Sequence, residues 1–417
     1  MLEVKPFRAI RYTEQVSLSD VLSGPYDVLD SSQKQALIER SPFNAVILDK
    51  PDESPSCYAR VGQTLSEWLS GGILRQDERP TFTVTEERFF YKGQERVRRS
   101  LWAAVGLSPF GQGQIFPHEN TNTGPKEDRR KLLLASGINT SPIFGLLSSS
   151  SGCIQNELAI ICAKQPEAEA WYQDIGVAVH VVLPEEFPPQ FLQEIKQGRI
   201  VIADGHHRYE TALKVSEDVG FRLKEADSVL MAITLADDPG LVILPTHRLA
   251  KAQSATKYAE LMELIESSHD LYPMKLKDPY YWEQCLEEVT DIGAFSLIRS
   301  KDESVVADLA VPKNSDLFLL SLRMKYPKHS ETYCSLDVVT VDNFVSESGI
   351  SWGPERDPAK LAEQVQGGRF NLGFLVRPVD PETVCGLALN GERVPPKTTF
   401  FDPKLPTGVG FRPLEAA

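Results

Sequence analysis

The sequence predicts a mixed α/β fold, and three observations lead there. Residues 177–235 alternate strand, helix, strand, helix, strand with short connections, the grammar of a sheet with crossover helices. Residues 81–91 and 95–106 alternate on either side of Lys92 and Gly93, which predicts an antiparallel hairpin. The length of 417 residues, with 41% apolar and 9% aromatic content, suits two or three lobes with true cores. The combination favours a small mixed sheet over a long doubly wound one. We expect an α+β lobe over 1–150 that contributes loops to a site, a strand–helix core over 151–250, and a C-terminal α/β lobe over 251–417.

The elements follow in order. Phe7–Tyr12 reads as a strand, and Ser31–Arg40 as a helix with Asp30 placed to cap it. Tyr58, Val61, Leu65, Trp68 and Leu69 fall at helical spacing before Gly71 and Gly72. The hairpin strands carry many charges, so at least one of their faces is expected in water. Residues 116–125 form a polar loop ahead of a helix, with Thr123 to cap it, Pro125 in the first turn, and Glu127 and Asp128 at the favourable end of the dipole. Val177–Leu183, Arg199–Ala203 and Val229–Leu235 read as strands. Pro188–Gln197, stopped by Gly198, and His206–Glu217 read as helices. The turn Asp237–Gly240 is expected to join Val229–Leu235 to Leu241–Leu244 as a hairpin. Further helices are expected near 255–268, 279–289, 336–348 and 358–366.

Charge narrows the function classes. Forty-four basic against 58 acidic residues give −14, a poor field for wrapping duplex DNA, although a local basic pocket is compatible with it. No stretch approaches the ~20 apolar residues of a membrane span, and the first residues lack the apolar run of a secretion signal. Six scattered cysteines without a CxxC pair fit reduced thiols in the cytoplasm.

The sharpest chemistry lies at Ala203, Asp204, Gly205, His206, His207 and Arg208, where a buried strand runs into a helix through one glycine. A helix start presents amides and a positive dipole end to an anion. The two imidazoles and the guanidinium add donors there, and Gly205 leaves room for close approach. Asp204 could hold a metal ion or orient an attacking group. The plain alternative is that Asp204 only caps the helix and the histidines sit in solvent. A zinc centre built from His118, Glu119, His206, His207 and His247 is the weaker reading. The residue four beyond His118 is Asn122, and adjacent helical histidines diverge by about 100°. A loosely held Mg²⁺ on carboxylates and substrate phosphates is the better reading. Walker, Rossmann and GxSxG devices are missing from the sequence. Asp27 follows a rigid turn at Gly24 and Pro25. The Pro-rich stretch Val394–Gly408, with Lys397 and Lys404, is expected to close over the site.

Several segments together resemble one family. Pro6–Ala9 with Pro25–Val28, Ser41–Asn44, Pro117–Thr121 with Gly124–Lys126, Ser141–Phe144, Ala203–Leu213, Leu244–Arg248 and Pro395–Lys404 are similar, in that order, to the uncharacterised prokaryotic family labelled "domain of unknown function 1015". That label carries no activity. The Asp204–Arg208 run also looks like the phosphate motif of the ParB/sulfiredoxin superfamily, which includes CTP-hydrolysing partition proteins, an ATP-using sulfinic acid reductase and kinases of free serine. His206, His207 and Arg208 after the glycine are closest to the serine kinases, and the loop holds no cysteine for sulfiredoxin chemistry. The resemblance implies a nucleotide-binding core of that type and a small-molecule kinase using ATP or ADP with Mg²⁺. Free serine or a related small hydroxyl acid would be its acceptor. We expect Glu119, Asp204 or Asp27 as the base, with Asp204 and Glu119 at the metal. Gly205, His206, His207, Arg208, Lys126 and Arg129 are expected on the nucleotide. The acceptor is expected among Asn44, His118, Thr121, His247, Lys397 and Lys404. The competing reading is a nucleotide-binding regulator or slow nucleotide hydrolase acting through partner proteins.

Overall fold

In the computed structural model, which describes residues 1–52, 54, 56–120, 126–148, 152–219, 225–275, 278–301 and 304–414, the chain is a mixed α/β protein of two units. One is Met1–Val242 together with Pro403–Ala417; the other is Ile243–Asp402. The division therefore falls at 242 and 403 instead of 150 and 250. The reason is pairing: Phe82–Tyr91 and Gln94–Gly106 share one sheet with Ile175–Val182 and Ser228–Leu235, so no boundary can separate them.

That sheet has nine strands, larger than the sequence suggested. Its order is Ile115–Pro117, Arg199–Asp204, Ile143–Ser148, Ser228–Leu235, Gln94–Gly106, Phe82–Tyr91, Ile175–Val182 and Ala168–Tyr172, with Val4–Lys5 beside Gln94–Gly106. Two of its pairings are parallel, Arg199–Asp204 on Ile115–Pro117 and Ser228–Leu235 on Ile143–Ser148. One face packs an apolar core in which Val84, Leu101 and Met231 meet Phe191, Ile195 and Tyr209 of the helices Pro189–Gln197 and His206–Val219. The expected hairpin across Asp237–Gly240 does not form. Ser228–Leu235 is bonded on both sides within the sheet and has no edge left, so Val242–Pro245 pairs with Thr399–Asp402 instead.

The hairpin at Lys92 and Gly93 does form, and both turn residues take the left-handed φ that a tight reversal needs, +49° and +74°. One of its polar faces is buried, while Arg88 and Glu95 on the other face meet water. Thr83, Thr85 and Glu87 stand opposite Trp102, Ser100 and Arg98, and all six are buried. The Trp102 indole donates to Thr85 Oγ1 at 3.0 Å, Ser100 and Thr234 hydroxyls bond at 2.6 Å, and Arg98 Nε donates to Glu87 Oε2 at 2.6 Å. Register converts residues that look solvent-facing in sequence into matched buried pairs. Burial pushes the Glu87 carboxyl up, against the pull of Arg98. Breaking such a pair strands a charge, so Glu87→Ala should cost about 3–5 kcal/mol in urea unfolding. The double replacement Glu87→Leu with Arg98→Met should cost clearly less than the sum of the single changes.

The second unit carries a six-stranded antiparallel sheet in the order His269–Pro273, Ser304–Pro312, Phe295–Lys301, Leu372–Leu375, His247–Lys251 and Ser351–Glu355. The four expected helices are present as Ala255–Ser268, Pro279–Glu287, Asp337–Ser348 and Pro358–Gln366. Ser315–Lys325 and Pro381–Leu389 are two that periodicity did not reveal. In this core His269 packs against the rings of Phe295, Phe318 and Phe344. Its Nε2 bonds the Gly293 carbonyl at 3.1 Å, and burial lowers its pKa from 6.5 to about 4. Between those values the unfolded chain takes up a proton that the folded chain refuses. Stability should therefore fall as pH drops from 6.5 to 4, by at most about 3 kcal/mol from this group. His269→Phe should flatten that part of the pH profile of the unfolding midpoint.

Candidate functional site

The site begins with a strand that cannot move. Arg199–Asp204 is bonded on one edge to Ile115–Pro117 and on the other to Ile143–Ser148, with an irregularity in the pairing between Ile202 and Asp204. Gly205 then takes φ +89°, a left-handed value, and the chain enters the helix His206–Val219 directly. The first bond of that helix runs from the Tyr209 amide to the Gly205 carbonyl at 3.0 Å. The bareness of Gly205 has a use other than the one expected. A Cβ there would lie 3.0–3.1 Å from the Arg208 guanidinium, so the space is filled by the protein's own cation.

Asp204 sits between two cations. Its Oδ2 is 3.4 Å from Lys404 Nζ and 3.6 Å from Arg208 Nη2. Burial alone would raise its pKa, but Lys404 and Arg208 outweigh that and hold the carboxyl at about 2, ionised throughout the physiological range. Lys404 belongs to the C-terminal return, which docks on the first unit through paired backbone bonds between Ile10 and Phe411 and between Ser23 and Thr407.

A second layer fixes Arg208. Its Nη1 donates to Ser141 Oγ at 3.0 Å and to the Pro142 carbonyl. Ser141 and Thr140 hydroxyls donate to Asp49 Oδ1 at 3.3 and 2.6 Å. Arg129 Nη1 donates to the Asp49 carbonyl at 2.7 Å, its Nη2 meets Asp128 at 2.6 Å, and its guanidinium lies 3.8 Å from the Tyr26 ring centroid. Burial pushes the Tyr26 phenol up to about 12. Asp49 and Thr140 were not singled out in the sequence, and Tyr26 entered only within the Pro25–Val28 segment; the repeated polar residues around Asn139–Ser141 were the available signal.

The other expected residues divide. His118 and His206 are buried against one another, with ring centroids 4.8 Å apart. His118 Nδ1 donates to the Ile202 carbonyl at 2.6 Å, and the His118 amide donates to His206 Nε2 at 3.4 Å. Burial lowers the pKa of His118. The pair ties the strand Ile115–Pro117 to the helix start. Glu119 is half-buried beside His118, His207 is half-buried, and Asp27 is exposed. The Arg208 side chain is only 12% accessible. Arg129 is buried and engaged by Asp49 and Asp128. Asn44 is fully buried, donating to the carbonyls of Asp20 and Leu22 and accepting from the Val46 amide. His247 is buried inside the second unit, where its Nδ1 accepts from the Val376 amide at 3.2 Å. Its neighbour Arg248 donates to Asp342 and to the carbonyls of Thr246, Pro396 and Lys397. Lys397 is exposed in that unit, with φ +56°. Thr121 and the Lys126 side chain lie outside the described residues.

Among the described residues no three His, Cys, Asp or Glu side chains converge as a metal cluster. All six cysteines are free thiols, and no described helix is long and apolar enough to cross a membrane. Gly205→Ala should force the backbone out of its left-handed well and push Arg208 aside. We expect a loss of about 1–2 kcal/mol in chemical denaturation, with Arg208→Ala partly relieving it because the clash partner is gone.

Among solved structures the chain is similar to a free serine kinase in complex with AMP, at 16% identity over 72% of this chain and 88% of that one, with TM-score 0.36. A conserved hypothetical protein from Pyrococcus furiosus matches at 16% over 72% and 92%, TM-score 0.35. SbnI with a C-terminal truncation from Staphylococcus aureus matches at 11% over 75% and 87%, TM-score 0.38. Likenesses of this strength carry no functional assignment. No curated protein matches the chain. The family profile described as "Protein of unknown function (DUF1015)" matches residues 4–339, and the chain belongs to that family.

Proposed function

We propose that the protein is a small-molecule kinase that moves a terminal phosphoryl group from ATP or ADP to a hydroxyl, with free serine or a related small hydroxy acid as acceptor. One observation carries the reading. At the positive end of the helix His206–Val219, Arg208 and Lys404 share the single carboxylate of Asp204. Two cations lie within 3.4–3.6 Å of that carboxylate at a helix start, where polyphosphate is favoured, while Asp27 and Asp49 act on Arg208 from farther away. The resemblance of the Asp204–Arg208 run to the superfamily phosphate motif agrees with it.

Phosphoryl transfer asks a protein for alignment and charge neutralisation more than for covalent chemistry. Arg208, Lys404 and His207 would take the phosphate oxygens, with Ser141 and Asp49 keeping Arg208 in place. Asp204, held at about 2, is a weak base, so orienting and deprotonating the acceptor falls to Glu119 or Asp27. Glu119 and Asp204 would hold Mg²⁺ together with the nucleotide's own phosphates, since the described residues form no complete metal cluster. When bound, the ion neutralises charge on the transferring group.

The test is to incubate the full chain with Mg²⁺, serine and either ATP or ADP. Phosphoserine and nucleotide consumption that depends on serine are expected. Consumption equally fast without serine would identify a hydrolase or switch, and no phosphoserine with either nucleotide discards this acceptor. Arg208→Lys keeps the charge but loses the bidentate fork, and should lower kcat/KM about 100-fold. Glu119→Gln should lower kcat by about 10²–10⁴ with nucleotide affinity little changed.

A further inference from the structure

The first unit holds an electropositive cavity away from the helix start at Gly205. It lies between the helices Ser31–Arg40 and Cys57–Ser70 and has a volume of about 250 Å³. Among the described residues, Lys34, Lys50 and Arg60 line it, against the carboxylate of Asp52. Three cations less one anion give +2 around this volume, in a chain whose net charge is −14. Ile38, Ile47 and Val61 form its apolar wall.

Lys34 is drawn into the cavity, while Arg60, 53% accessible, stands at its rim. The Lys34 side chain is 16% accessible, and its ammonium reaches Asp52 Oδ1 at 3.1 Å. Arg60 Nη2 reaches Asp52 Oδ2 at 3.4 Å. Asp52 itself is 68% accessible and stands at the rim, so its pairing is weak and replaceable. The Lys50 ammonium donates to the carbonyls of Tyr26 and Leu29, which spends two of its three donors.

We propose that this cavity binds a small organic anion, a carboxylate or phosphate head on a short aliphatic body, whose head replaces Asp52 between Lys34 and Arg60. The body lies on Ile38, Ile47 and Val61. The volume equals that of about eight waters, enough for such a molecule and too small for a nucleotide. Lys50 holds the wall of the cavity in place through its bonds to the carbonyls of Tyr26 and Leu29. The site is separate from the proposed phosphoryl-transfer centre and does not depend on it.

Calorimetric titration of the full chain with butyrate, propyl phosphate and neutral n-butanol tests the assignment. At least one of the two anions should bind saturably and butanol should not; which anion binds identifies the head group. The pair Lys34→Met with Arg60→Gln keeps the side-chain volume and should weaken binding by at least about tenfold, as the loss of charge-assisted bonds requires. Asp52→Asn removes the resident competitor and should tighten it severalfold. Arg208→Ala should leave it unchanged. No saturable binding, equal affinity in the Lys34/Arg60 variant, or unchanged or weaker affinity in Asp52→Asn would overturn the proposal. Loss of binding in Arg208→Ala would place the anion at the helix start instead.

Discussion

A half-buried carboxylate shared by two cations is the constraint on which the site depends. Asp204 is a strand-end residue that the sheet fixes in place, and an unpaired carboxylate there would be costly to bury. One partner is local: Arg208 lies one helical turn away, and its guanidinium occupies the space that Gly205 leaves empty. The other is remote. Lys404 arrives two hundred positions later in the chain, so the charge balance at Asp204 is completed only when the C-terminal return has docked.

The docking of that return is itself built from paired polar groups. Ile10 and Phe411 exchange backbone bonds at 2.9 Å in both directions, and Arg412 is buried with its guanidinium donating to Asn139 and to Ser228. Burial lowers the Arg412 pKa to about 10, which leaves it charged at neutral pH. The same device recurs at Glu87 with Arg98, at Asp49 with Thr140 and Ser141, and at Arg248 in the second unit. Each of these groups would destabilise the fold if its partner were out of register, so the polar interior selects one arrangement more sharply than apolar contacts could.

Much of the local structure was legible. Asp30 accepts from the Gln33 amide in a capping box, and Gly71 and Gly198 end helices where the sequence places them. These features are decided within a few residues. The strand–glycine–helix junction at Asp204–Arg208 was legible for the same reason. What could not be read was which strand pairs with which. Val229–Leu235 looked like half of a hairpin because its nearest neighbour in sequence was also apolar, but its two edges were already taken by strands whose paired residues lie 88 and at least 122 positions away. That Glu87 and Arg98 are covered while Arg88 and Glu95 are exposed could not be read, because alternation shows that two faces differ, not which one is buried. Ser315–Lys325 was missed because its outer face also carries Leu317, Leu320 and Met324, which blurs the period.

The sequence alone determined the fold class, the caps, and the junction where a buried strand meets a helix bearing imidazoles and a guanidinium, because these depend on bond geometry and near neighbours. Only the tertiary structure decided that Asn44, His118 and His206 hold the framework together, that Arg129 is consumed by Asp49 and Asp128, and that Lys404 stands against Asp204. Those outcomes depend on distance through space between residues far apart in the chain, and a one-dimensional pattern of charge and hydropathy contains no measure of that distance.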